Sequence, residues 1–397
     1  MKHTITLLLC LITLLGTAKN KTWTCINQEG KTVFQIEAMR VYEFSNGLAK
    51  VYKNTLVNNK WVTGYGFIDN TGQVVIPCDL DKAADFKGDY VWVKKDKQDF
   101  YSLLHKSGKY ISTKPYKKVG YFYDFQKEMS AVYEDGRMGF IDLTGKEIIP
   151  CKYIGSGYFS EGLCSVQLYD DTDGSKEAYG FIDESGEVVI SLKSRQGGSA
   201  SFEKGYARYQ VDGKTVLIDH SGETYFKTSK GNIQGYKFGL VSVFSGKSRT
   251  NWGWINTKDE VVIPLQYDYA VNFSDDGLAI VEKDGLKGVI DTTGKQITPM
   301  KYKSIYAHPS KDGFMMGVYP SKEATSLTNA KKDYYDAKGN LLSVTDRYIY
   351  HANHQDLIMF KTISTDKQGY LNRSFEVVIP AKYSQAYNFS EGFAWVR

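Results

Sequence analysis

Few residues in this sequence have a type and spacing that could do chemistry. In "YGFIDESGEVVI", Tyr179–Ile190, an aspartate and an acidic neighbour stand beside a glycine turn, as in a fragment of an active site. In "DDTDGSKE", Asp170–Glu177, carboxylates cluster beside a glycine, faintly like a calcium loop. The full D-x-[DN]-x-[DN]-G-x₅-E spacing is missing, and a solvated hairpin loop is expected at this point. "HANH" offers His351 and His354, but no third ligand lies nearby in sequence for a zinc site. No G-x-S-x-G, H-E-x-x-H or P-loop occurs. Gly47, Gly162, Gly277 and Gly392 read as strand-start glycines, not phosphate cradles. Cys25, Cys78, Cys151 and Cys164 fit no CxxC pattern and read as buried free thiols. The sequence therefore nominates no catalytic, cofactor-binding or metal-ligating residue, and no cofactor.

The Asp183 segment is not alone. "YGFIDNTGQVVIP" stands at Tyr65–Pro77 and "MGFIDLTGKEIIP" at Met138–Pro150. With the Gly of "GFID" as position zero, ten instances begin at Thr24, Gly66, Ser102, Gly139, Gly180, Val216, Gly253, Gly288, Asp333 and Gly369. Their spacing, about 38 residues on average, is the mark of a repeat array. Position +3 is Asp or Asn in every instance except His105, and position +6 is Gly except at Asp259 and Phe375. A second half-motif follows, as "FSEGLCSV" (Phe159–Val166), "FSDDGLAIV" (Phe273–Val281) and "FSEGFAWV" (Phe389–Val396).

Turn chemistry explains this pattern without catalysis. Asp or Asn at the first turn position accepts hydrogen bonds from backbone N–H groups a few residues on. Gly at the fourth supplies the positive φ that a type I turn with a G1 bulge requires. The flanks are β-rich, so each unit opens with a hairpin, and Pro at +11 is expected to end its second strand. The "GLAIV" segment makes a third strand. One catalytic aspartate does not need nine copies at one turn position, so Asp183 is read as a turn residue.

The elements that hold these residues are β-strands throughout. The composition includes 30 Tyr, 20 Phe and 6 Trp, which suits pleated, half-buried surfaces. Trp61, Trp92, Trp252, Trp254 and Trp395, with the tyrosines, are the best hint of a binding groove for peptides or sugars, though core packing is the commoner fate of such residues. The net charge of +5 is spread evenly, without the basic patch of a nucleic-acid binder. Lys2 and His3 precede an apolar run, Ile5–Leu15, and the small residues Gly16–Ala18 follow, which reads as a signal peptide over residues 1–18. A lipoprotein reading would use Cys10, but Leu9 is bulky where such sites want a small residue. No later segment is apolar for long enough to span a bilayer as a helix.

The segments "WGWINTKDEVVIPLQYDYAVNFSDDGLAIV" (Trp252–Val281), "YGFIDESGEVVI", "MGFIDLTGKEIIPCKY" (Met138–Tyr153) and "QGYLNRSFEVVIPAKY" (Gln368–Tyr383) resemble the WG (KWG) β-repeat family. Only Trp252-Gly253 carries the eponymous pair. The resemblance implies a bacterial repeat protein, often exported, with no agreed catalytic activity, and it carries over no site residues. The expected fold is all-β: residues 19–397 form a continuous tandem array of about ten three-stranded units, stacked as a solenoid or open superhelix. One or two β-propellers are the alternative, because ten units exceed the usual four to eight blades of a ring. The expected function is a non-catalytic binding scaffold, exported to the periplasm, cell surface or medium, whose partner is another protein or an envelope polymer and not nucleic acid. The alternatives are a carbohydrate-binding module or an enzyme with an unrecognised site.

Overall fold

The computed structural model describes residues 19–57, 59–111, 114–120, 129–155, 158–168, 178–192, 201–211, 214–246, 248–307, 314–318, 332–336, 338–344, 347–350 and 357–397. The N-terminal run with Cys10, the acidic run Asp170–Glu177, His351 and His354, and nearly all of the insertion 319–333 lie outside them. Every regular element among the described residues is a β-strand.

Each repeat makes the hairpin that its turn residues specify. In the Asp183 unit, Oδ1 accepts from Ser185 N at 2.9 Å, Ser185 Oγ at 2.6 Å and Glu187 N at 3.1 Å. Gly186 N donates to Asp183 O at 2.9 Å. The same pattern recurs at Asp69, Asp142, Asp219, Asn256, Asp291, Asp336 and Asn372. His105, the exception in sequence, is no exception in geometry: its Nδ1 accepts from Ser107 N at 3.2 Å. The +6 residue has positive φ whatever its identity. Gly186 lies at φ 84°, and Asp259 and Phe375, which stand in for Gly, both lie at 63°.

Glycine at position zero has a different cause. A Cβ on Gly253 would lie 2.6 Å from the Ile263 carbonyl oxygen, so the following strand crosses directly over the bare backbone. That strand does not end at its proline, as the sequence suggested. Glu147–Tyr153 and Val261–Tyr267 run through Pro150 and Pro264, with a register shift beside each. These are edge strands, where a missing N–H costs no ladder bond.

The units are also larger than expected. Most sheets have four strands rather than three, as in Phe159–Ser160, Leu163–Leu168, Ala178–Ile182 and Val188–Leu192. The added strand is often two residues long, too short to show an alternating pattern in sequence. Ala207–Val211, Lys214–Ile218 and Thr224–Phe226 form a sheet with only three described strands.

At several junctions among the described residues the second half-motif latches one unit to the next. Its Phe is core, and its Ser donates to the carbonyl of the next unit's Phe. Ser45 Oγ reaches Phe86 O at 3.3 Å, and Ser160 Oγ reaches Phe202 O at 2.6 Å. The Glu one place further on caps the next unit's turn, as Glu161 does for Gly205 N at 2.9 Å. The same latch then joins the last unit to the first. Ser390 Oγ donates to Phe44 O at 2.6 Å, and the Glu391 carboxylate accepts from Asn46 N at 2.7 Å and Gly47 N at 2.9 Å.

This contact overturns the solenoid or open superhelix. Phe393–Val396 pairs antiparallel with Lys21–Asn27, Cys25 opposite Trp395, and completes the sheet that the first hairpin begins. The turn glycines repeat the message. A Cβ on Gly294 would meet Ile263 of the unit before it at 3.2 Å, and one on Gly30 would meet Ile379 at 3.3 Å. Head-to-tail contacts of one kind close into a ring when their rotation brings the last unit to the first. The chain is a closed β-propeller, the alternative weighed above.

Candidate functional site

The aromatic hint resolves unevenly. Trp92, Trp252, Trp254 and Trp395 are core residues. Trp61 is 75% exposed, near the end of the long hairpin Leu48–Val57 and Lys60–Asp69, opposite Leu56 at 55%. Cys25, Cys78 and Cys164 are buried free thiols, and Cys151 is half-buried. Burial pushes the Cys25 thiol up to about 12, which leaves it inert as a nucleophile.

A cavity of about 610 Å³ opens beside the three-stranded sheet. Its walls come from three successive units: Tyr158 and Ser160 from one, Tyr206, Arg208 and Gln210 from the next, and Gln234, Gly235 and Tyr236 from the third, with Asn272 beyond. Strand alternation sorts the central residues. Ala207 and Tyr209 belong to the core cluster with Phe181 and Ile190, which leaves Arg208 and Gln210 on the other face. There Arg208 lies opposite Leu217, and Gln210 opposite Thr215, to whose hydroxyl its amide donates at 3.2 Å.

Three tyrosines form an aromatic corner. The Tyr206 ring stacks on Tyr225 at 4.0 Å between centroids and meets Tyr236 edge-on at 4.9 Å. The hydrogen bond to Tyr225, then burial and the nearby phenols, push the Tyr206 hydroxyl up to about 12. Burial, followed by Tyr225, raises Tyr236 as well. Both are neutral phenols near neutral pH, donors and acceptors rather than bases. Burial, followed by the like charge of Arg249, lowers Arg208, but a guanidinium stays protonated in proteins. Glu203 is the carboxylate of the described lining; its partner is Lys237 at 3.7 Å, which also holds Asp275 at 2.7 Å. Asn272 Oδ1 accepts from Ser242 Oγ at 2.6 Å.

The lining presents aromatic faces, hydroxyls, amides, one guanidinium and the Glu203 carboxylate, and neither His nor Cys. Such a wall recognises a polar ligand with flat apolar faces. Sequence reasoning missed this cleft because its residues come from several units, and only the fold brings them together. The available signal was "GYARYQ" (Gly205–Gln210), where other units continue the half-motif with residues such as "GLAIVE" (Gly277–Glu282).

Strand pairing and latches together define a β-propeller built of sequence repeats. The profile described as "WG containing repeat" matches residues 23–61, 65–98, 138–170, 179–214, 252–286, 288–314 and 369–397, more than half of the sequence. The chain belongs to this WG-repeat family. No curated protein sequence matches it. Among solved structures it is similar to a eukaryotic initiation factor, at 11% identity and TM-score 0.49, over 82% of this chain and 96% of that one. It is also similar to apo AztD from Citrobacter koseri, at 11% identity and TM-score 0.33, over 90% of this chain and 93% of that one. Among the described residues, no helix is long and apolar enough to cross a membrane.

Proposed function

We propose that this protein is a non-catalytic carbohydrate-binding propeller, exported from the cell, with its ligand seat in the tyrosine-lined cleft. The observation that carries the reading is the pair Tyr206 and Tyr236, which line the cleft beside the amides of Gln210, Gln234 and Asn272, with Tyr225 stacked behind Tyr206. Aromatic faces take the C–H faces of a sugar ring, while amides and phenols pair with its hydroxyls. The basic, apolar and small-residue order of residues 1–18 supports export. A second reading, a protein-binding scaffold, is favoured by the exposed Trp61–Leu56 pair on its long hairpin. Affinity electrophoresis through gels containing cell-envelope polysaccharides tests the first reading. The native protein is retarded, and Tyr206→Ala with Tyr236→Ala is not. Unretarded migration of the native protein in every gel, with capture of a partner protein that Trp61→Ala abolishes, supports the second reading instead.

A further inference from the structure

At three equivalent positions among the described residues, a side chain of one unit reaches the segment around the Phe of the next unit. Three residues after the strand-start glycine, or the equivalent Gly205 and Gly239, stand Lys50, Ser165, Arg208, Ser242, Ile280 and Trp395. Lys50 Nζ reaches Asp85 at 2.6 Å, and Asp85 is the residue just before Phe86 of the following unit. Ser242 Oγ reaches Asn272 at 2.6 Å, and Asn272 is the residue just before Phe273. Trp395 Nε1 donates to Tyr42 O at 2.9 Å, two residues before Phe44. For Arg208 the corresponding residue is Gly235, just before Tyr236, which takes the place of the Phe. Gly235 has no side chain to offer, and the neutral Asn272 amide occupies the space where its Cβ would lie. Arg208 and Gly235 both line the cavity, and among the described residues no carboxylate lies within ion-pair distance of Arg208.

We infer that the cleft takes an acidic saccharide, whose carboxylate pairs with the Arg208 guanidinium. A guanidinium presents parallel N–H donors that match a carboxylate two to two. Arg249, close enough to repel Arg208, adds positive potential and no counter-charge. The acid of the lining, Glu203, is held by Lys237. Tyr206 and Tyr236 then receive the sugar ring, and Arg208 selects those rings that carry an acid.

This inference rests on the carbohydrate reading, and one experiment separates their failures. The probe is an array of acidic saccharides, each printed beside its methyl ester, read with the full chain and followed by calorimetry on the best pair. The native protein is expected to prefer the free acid by about tenfold or more, the worth of one charged hydrogen-bonded contact. Arg208→Gln should bind acid and ester alike, at the native protein's affinity for the ester, and Arg208→Lys should keep part of the preference. An unchanged melting temperature confirms that each variant is folded. If the native protein binds acid and ester equally, or Arg208→Gln keeps the full preference, the acidic ligand is refuted while the carbohydrate reading stands. If nothing on the array binds, both fall.

Discussion

Replacing Trp395 by Ala tests the ring at its seam. The Trp395 side chain is fully buried, stacks on Phe44 at 5.8 Å and meets Phe34 edge-on at 5.5 Å. Its Nε1 satisfies the Tyr42 carbonyl at 2.9 Å. Truncating a core Trp costs about 3–5 kcal/mol. Leaving the carbonyl without its donor adds about 1 kcal/mol. The expected loss is about 4–6 kcal/mol, a large part of the roughly 5–15 kcal/mol that holds a typical fold. Trp254→Ala is the control, because Trp254 is as deeply buried but far from the seam in sequence. Urea unfolding reads the loss, and amide hydrogen exchange reads its place. In Trp395→Ala, Lys21–Asn27 and Phe393–Val396 should lose protection before any other strands. In Trp254→Ala the seam should keep its protection while Trp252–Asn256 loses it. A loss under about 1 kcal/mol for Trp395→Ala, or the same exchange pattern in both variants, would refute the reasoning.

Four further outcomes follow from the turns and the surface. Asp291→Ala removes an acceptor for Thr293 N, Thr293 Oγ1 and Lys295 N, and should cost about 0.5–2 kcal/mol by chemical denaturation; an unchanged midpoint counts against the turn role. Gly294→Ala, at φ 83° and with its new Cβ 3.2 Å from Ile263, should cost about 1–2 kcal/mol, whereas a gain in stability would mean that the turn relaxes freely. Hydroxyl and backbone hydrogen bonds hold Asp69, Asp183 and Asp219 below the usual carboxylate range, so their stabilisation is complete above the unfolded value of about 3.9 and is lost as pH falls through the lower folded values. Replacing all three by Asn, which makes the same turn at Asn256 and Asn372, should flatten this acid limb of the urea midpoint; an unaltered limb places the effect elsewhere. Trp61→Ala should leave stability within about 0.5 kcal/mol, and a larger change would show that its hairpin is packed against something.

What could be read in the sequence was what is local and repeated. The hairpin and its Asp-x-x-Gly turn are set within a few residues, and repetition across units separated turn chemistry from catalysis at Asp183. The fate of the tryptophans was not local. Trp61 and Trp254 both flank or sit in β-rich stretches, and only tertiary packing buries one and exposes the other. Closure was harder still, because Trp395 and Tyr42 are 353 positions apart and nothing near either of them announces the other. One sequence signal did exist. The first unit begins with the hairpin, while the segment that should precede it, "FSEGFAWV", stands at the far end of the sequence. The cleft left the weakest trace, because Arg208 becomes informative only when Gly235 is known to stand where Asp85 stands for Lys50.

Sharing one sheet between the two ends of the sequence also sets a timetable for biosynthesis. When the hairpin Lys21–Ala38 leaves the ribosome, its partner Phe393–Val396 is still more than 350 residues behind it. At about 5–20 residues per second, that interval lasts roughly 20–70 s. Throughout it, Lys21–Asn27 presents an unpaired row of N–H and C=O groups, the kind of edge that recruits strands from other chains. The nascent protein therefore carries an open strand edge until Phe393–Val396 arrives to cover it.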